Sequence, residues 1–187
     1  MSGALASVAV DPALVLIAGL AVAALFAVAA WHKASDPVRF EGVLQGYGVA
    51  SARGRWLLAR LLPAVEALVP VLLVWRPGPG FALGAGLFAL FGVAMAAALV
   101  QGRRDLDCGC GGPMARQTVG WGLVARNAIL TVIAGAMAVL PVVDRGLTPW
   151  DAGLALLVLG ALWSLSLAAG GLAGNAGRLK RLRALDV

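Results

Sequence analysis

Five apolar stretches constrain the fold of this chain more than any other feature, because each has the roughly 20 residues that a helix needs to cross a bilayer. Charged residues make up only 13% of the chain, against about 25% in soluble domains, and the mean hydropathy is +0.91. The sequence therefore predicts an all-α integral membrane protein, a four-helix transmembrane bundle plus a fifth, C-terminal transmembrane helix. Within a single transmembrane domain, residues 1–187, the predicted spans are residues 13–31, 57–75, 81–101, 119–140 and 150–172, followed by a basic tail at 173–187.

The long segment between the first two spans carries a signal for a short surface helix. Asp36-Pro37 is a typical N-cap and first-turn pair. After it, Phe40, Val43, Leu44 and Tyr47 recur at helical spacing. This pattern predicts an amphipathic helix that lies on the membrane surface.

The distribution of Lys and Arg predicts the orientation of the chain in the membrane. If all five spans cross, one side carries only Arg76 and Arg145. The other side carries Lys33, Arg39, Arg53, Arg55, Arg103, Arg104, Arg116, Arg178, Lys180, Arg181 and Arg183. By the positive-inside rule this richer side is cytoplasmic, and the N-terminus lies outside. The net charge of +6 is spread between apolar segments, so no basic patch of the kind that binds nucleic acid is predicted.

Both cysteines of the chain lie in the segment DLDCGCGGP, between the third and fourth spans. The Cα atoms of Cys108 and Cys110 can be at most about 7 Å apart, and a disulfide needs roughly 4.4–6.8 Å. The pair can therefore close only in a tight ring, which favours a reactive, oxidising bond over a structural one. Gly109 permits the backbone angles that such a ring requires.

Charged neighbours have opposite effects on the balance between the thiol and thiolate forms of these cysteines. Arg103 and Arg104 favour the thiolate, the form that attacks disulfides, while Asp105 and Asp107 oppose it. Two alternatives remain open: unreactive cysteines in a loop, or a metal site. A zinc site usually needs four Cys or His ligands, and this chain offers two Cys and one His, so no metal is predicted.

Ionisable residues inside or beside the spans form a second group of candidates. Arg60, Glu66 and Arg126 lie within predicted helices, and Asn127 follows Arg126. Such groups are costly in a membrane and are usually paired or functional. We expect Glu66 to pair with Arg126 across two helices. His32 is a candidate proton shuttle, with a purely interfacial residue as the alternative.

Several short segments, taken in order, resemble the MauE family of methylamine-utilisation membrane proteins, relatives of the DoxX-like group. They are KASDPVRF at 33–40, Tyr47, LARLLPAVE at 58–66, Arg103 to Gly112, and Ala125-Arg126-Asn127, within a likeness over residues 13–140. The resemblance implies a four-helix core in the bacterial inner membrane and a role in the disulfides of exported proteins. It also implies a thioredoxin-like partner and, as client, the small subunit of methylamine dehydrogenase. The family pattern has an aromatic residue after the second cysteine, where this chain has Gly111.

These observations favour a membrane thiol–disulfide oxidoreductase in which Cys108 and Cys110 cycle between dithiol and disulfide. A quinone is a candidate second electron carrier, with Arg60 and Arg126 as candidates for holding its head group or tuning the thiolate. The charge bias predicts a cytoplasmic cysteine loop, whereas the role implied by the resemblance predicts a periplasmic one. The alternatives are a non-enzymatic assembly or chaperone-like subunit, and a carrier of small solutes or metal ions that uses Glu66.

Overall fold

The computed structural model describes residues 9–103, 106, 119–161 and 164, and these form α-helices and their connections. In chain order the helices are α1 (Pro12–Ser35), α2 (Pro37–Gly46), α3 (Ala52–Trp75), α4 (Pro77–Val100), α5 (Trp121–Val139) and α6 (Pro149–Ala161). Four of them, α1, α3, α4 and α5, are long and apolar enough to cross a membrane. The predicted all-α membrane fold with four spanning helices is therefore confirmed.

Side-chain caps set the starts of the first three helices. Asp11 accepts a hydrogen bond from the backbone N–H of Ala13 at 2.8 Å, which caps α1. A single residue, Asp36, separates α1 from α2 and accepts from the N–H of Arg39 at 3.0 Å. The predicted short helix after Asp36 is thus present. Ser51 caps α3 in the same way through the N–H of Gly54. Each cap satisfies a donor that the first turn leaves without a partner.

The long helices pack as an up-and-down bundle. α4 packs against α5 and α3, and α1 packs mainly against α3. The core includes Phe26 of α1 and Phe88 of α4, whose ring centroids are 4.7 Å apart. Only Arg76 separates α3 from α4, so these two helices form a tight hairpin.

Backbone contacts identify which helix ends lie together. At one end, Val10 at the start of α1 donates to the carbonyl of Pro141 just after α5, at 2.8 Å. Arg145 also forms an ion pair with Asp11 there, at 2.6 Å. We call the opposite end of the bundle the α2 end. It holds the end of α1, all of α2, the start of α3, the end of α4 and the start of α5.

The observed helices extend the predicted spans in ways that matter for the site. α1 continues beyond residue 31 to Ser35, and α3 begins at Ala52 instead of residue 57. His32 and Lys33, which the sequence placed in a loop, are therefore helical. α6 covers the first part of the predicted fifth span and belongs to a second unit that begins at Gly146. The rest of that span, Ser164 apart, and the basic tail lie outside the described residues.

Candidate functional site

A buried lysine occupies the last turn of α1. The side chain of Lys33 is only 3% exposed. It continues a buried stripe along α1 that includes Val22, Phe26 and Ala30. This spacing of three and four residues is that of one helix face. Lys33 was not predicted as a site residue because the predicted span ended at Trp31, although the buried stripe points to residue 33.

Lys33 forms an ion pair with Glu66, which lies near the middle of α3 and is fully buried. The ammonium of Lys33 donates a hydrogen bond to Oε1 of Glu66. The expected pair between Glu66 and Arg126 is wrong. Glu66 lies on the buried face of α3, and α3 packs against α1, which carries Lys33, whereas Arg126 is exposed on α5.

Two aromatic rings complete the surroundings of the Lys33 ammonium. Nζ lies 5.4 Å from the ring centroid of Phe40 in α2 and 4.7 Å from that of Phe91 in α4. A ring face attracts a cation within about 6 Å. We call Lys33, Glu66, Phe40 and Phe91 the Lys33–Glu66 centre. It joins α1, α2, α3 and α4 around one buried ion pair.

Glu66 keeps hydrogen-bonding capacity that the described residues do not use. Its second carboxylate oxygen, Oε2, is buried and accepts no hydrogen bond from any part of the chain that the structure describes. In addition, Pro70 lies four residues further along α3 and has no N–H to donate to the Glu66 carbonyl. Buried polar atoms are usually satisfied, so Oε2 points to a missing donor.

The described side-chain contacts of the other predicted polar residues are made with residues outside this centre. Arg60 forms a partly exposed ion pair with Glu41, at 3.2 Å, and its guanidinium lies 4.3 Å from the ring centroid of Trp56. Arg126 is exposed, and His32 is half-buried. Asn127 is buried and donates from its side chain to the carbonyl of Leu123 at 2.8 Å, a contact within α5. Arg60 lies on α3 and Arg126 on α5, which do not pack directly against each other in the described part of the chain, so the structure does not bring these two arginines together around a head group.

The redox candidates Cys108 and Cys110, together with Arg104, lie outside the described residues. The residues that border their segment are described. Val119 donates to the carbonyl of Leu106 at 3.0 Å, which closes the base of the segment 107–118. Leu106 and Val119 also pack with Met95 and Leu99 of α4. The residues that flank the cysteine segment, Leu106 and Val119, are therefore packed together against α4.

Arg103 connects the start of the cysteine segment to α2. Its guanidinium donates to the carbonyl of Gly46, the last residue of α2, at 3.0 Å. Its backbone N–H donates to the carbonyl of Ala98 in α4, also at 3.0 Å. In this structure Arg103 thus holds the border of the cysteine segment at the α2 end.

Comparison with known proteins identifies the family. The family described as "Methylamine utilisation protein MauE" matches residues 11–140, which cover α1 to α5. The chain belongs to the MauE family. The match includes the whole Lys33–Glu66 centre and the cysteine segment.

Individual MauE proteins are similar to this chain over much of its length. The one from Paracoccus versutus is 34% identical over 82% of this chain and 83% of its own. The one from Paracoccus denitrificans is 38% identical over 63% of this chain and 64% of its own, just under two thirds of that protein. The one from Methylophilus methylotrophus is 31% identical over 74% of each chain. No solved structure matches this MauE-family chain.

Proposed function

We propose that this MauE-family protein is a membrane thiol–disulfide oxidoreductase whose redox pair is Cys108 and Cys110. The observation that carries the proposal is that the residues on both sides of the cysteine segment are held in place by hydrogen bonds. The Leu106–Val119 hydrogen bond and the contact of Arg103 with Gly46 hold both ends of the segment against the bundle. The proposal requires that a partner protein reach Cys108 and Cys110 while the helices stay packed.

The chemistry is thiol–disulfide exchange. A thiolate of the partner attacks one sulfur of the Cys108–Cys110 disulfide, forms a mixed disulfide and releases the other sulfur as a thiolate. The partner's second thiolate then attacks the mixed disulfide, so that the partner is oxidised and the Cys108–Cys110 pair is reduced to the dithiol. The strain of a Cys-x-Cys ring favours this direction.

The partners follow from the same proposal. A thioredoxin-like protein supplies the exchanging cysteines, and an exported disulfide-containing protein is the final client. The relatives are named methylamine utilization proteins, which supports a client in methylamine utilisation and a place in the bacterial inner membrane. Arg104, adjacent to the described border, would favour the thiolate form of the pair.

The buried ion pair favours a second candidate function, a carrier of small solutes or metal ions that uses Glu66. Charged groups within a membrane bundle commonly mark such pathways. This candidate requires Glu66 and not the cysteines. The assembly-subunit alternative requires neither thiol and predicts that Cys108→Ser/Cys110→Ser retains function.

Capture of a mixed disulfide tests the proposal. The oxidised full-length chain in detergent is mixed with a thioredoxin-like protein whose resolving cysteine is replaced by serine, so that the mixed disulfide cannot be resolved by the partner. We expect a 1:1 adduct that dithiothreitol releases. The variant Cys108→Ser/Cys110→Ser is the control and forms none. If the chain with both cysteines gives no adduct above that control, the oxidoreductase proposal is wrong.

A further inference from the structure

The Lys33–Glu66 centre has an unfilled acceptor inside the membrane-spanning bundle. Oε2 of Glu66 is fully buried, and no donor among the described residues reaches it. A carboxylate oxygen in that position, away from water, leaves a large desolvation cost uncompensated. The other oxygen of the same group, Oε1, is already engaged by Lys33.

The same centre also has unused donors. A lysine ammonium carries three N–H bonds, and in the described part of the chain Lys33 directs one of them to an oxygen, Oε1 of Glu66. Its other close contacts are the faces of Phe40 and Phe91. These faces attract positive charge without providing an oxygen acceptor. An acceptor for Lys33 and a donor for Oε2 are therefore needed at one place.

A hydroxyl group meets both needs, since its hydrogen can be donated and its oxygen can accept. We propose that the Lys33–Glu66 centre binds a hydroxyl-bearing ligand, whose O–H donates to Oε2 of Glu66 and whose oxygen accepts from Nζ of Lys33. The hydroxyl has two sources, the head group of a membrane quinol or a water molecule. Because the faces of Phe40 and Phe91 already carry the Lys33 ammonium, the choice between these two sources is left to experiment.

The quinol source rests on the proposed function, whereas the hydroxyl site itself does not. Oxidising the Cys108–Cys110 dithiol to a disulfide releases two electrons and two protons, and a quinone takes up both to become the quinol. The site proposed here uses Lys33 and Glu66 in place of the arginines named from the sequence.

Binding of a short-chain benzoquinol to the purified full-length chain tests the quinol source. Under anaerobic calorimetry we expect saturable 1:1 binding, and about tenfold weaker binding in Glu66→Gln and Lys33→Met, which lose charge-assisted hydrogen bonds. The matched control Glu41→Gln, which alters the partly exposed pair, keeps wild-type affinity. Cys108→Ser/Cys110→Ser also keeps it, so this result does not depend on the thiol chemistry.

Two further measurements keep the test decisive if a variant fails to fold. In the unmodified chain the quinol should raise the thermal unfolding midpoint. If no saturable binding is seen, infrared spectroscopy tests for water through an O–H stretching band that shifts in H2(18)O and is lost in Glu66→Gln. Such a band supports the site with water as its ligand. The inference is overturned if a folded Glu66→Gln variant binds the quinol as tightly as the wild type does. It is also overturned if neither quinol binding nor a water band is found.

Discussion

Lys33 and Glu66 form a buried ion pair that joins the last turn of α1 to the middle of α3. The pair lies 33 residues apart in sequence, and Phe40 and Phe91 bring α2 and α4 to the same point. Four helices of the matched region thus converge on one charged contact. The contact is both a determinant of the fold and the proposed ligand site.

Removing one partner of this pair should strongly destabilise the bundle. Lys33→Met leaves Glu66 as an uncompensated buried charge, and breaking a buried pair in this way typically costs about 3–5 kcal/mol. Glu66→Leu likewise leaves the Lys33 ammonium as a buried charge without its partner. The double variant Lys33→Met/Glu66→Leu should be more stable than either single variant, because no unpaired charge remains. Thermal unfolding in detergent measures all three.

The pair between Arg60 and Glu41 is the matched control for that series. Its side chains are 46% and 29% exposed, and such partly solvated pairs contribute about 0–1 kcal/mol. Glu41→Gln should therefore unfold close to wild type. Equal losses of stability in Glu41→Gln and Lys33→Met would contradict the special role assigned to the buried pair.

The hairpin of α3 and α4 should depend on the lack of a side chain at Gly80. A Cβ atom at this position would lie 2.6 Å from the backbone nitrogen of Leu73 and 2.9 Å from its Cα. These are backbone atoms that cannot rotate away, so Gly80→Ala forces the two helices apart. Forced shifts in packed interiors cost about 1–3 kcal/mol, which should appear as a lower unfolding midpoint.

Gly86→Ala, in the same helix, provides the comparison. No heavy atom lies within 4 Å of a Cβ built there, and alanine favours a helix over glycine by up to about 1 kcal/mol. This variant should match or exceed wild-type stability. A Gly80→Ala protein as stable as Gly86→Ala would show that the close approach of α3 and α4 is not required.

Leu106 should control how firmly the cysteine segment is held. Its side chain is half-buried against the cluster that includes Met95, Leu99 and Val119. Leu106→Ala removes that packing at a cost of about 1–2 kcal/mol, less than for a fully buried leucine. Alkylation of Cys108 and Cys110 by a maleimide should become faster. Leu14→Ala, at an exposed position on α1, should leave the rate unchanged, and equal rates in the two variants would contradict this role.

The spanning helices were predictable because their signal is local. A run of about 20 apolar residues has few alternatives in a membrane, and an Asp-Pro pair marks a helix start through its own chemistry. The start of α2 at Pro37 was therefore found from the sequence. The ends of α1 and α3 were missed at the α2 end, where polar residues such as Lys33 and Arg53 continue the helices beyond the apolar run.

The partner of Glu66 was not predictable from the same local signals. Pairing between helices depends on how each one is rotated and which neighbours it packs against, and neither follows from the spacing of residues within one helix. Arg126 appeared suitable because it lies in a span, yet it is exposed on α5. Lys33 appeared to be a loop residue, yet the stripe through Phe26 and Ala30 carries it into the core.

Thiol trapping of Cys108 and Cys110 in native membranes tests the central claim most directly. A membrane-impermeant maleimide is added from each side, before and after treatment with a reductant, and labelled protein is resolved by mass. We expect a pair that is protected when oxidised and labelled when reduced. Labelling from the cytoplasmic side fits the charge distribution, and labelling from the periplasmic side fits an exported client. Labelling from the periplasmic side alone would correct the orientation and retain the redox pair. A pair that is labelled equally with and without reductant would contradict the oxidoreductase account.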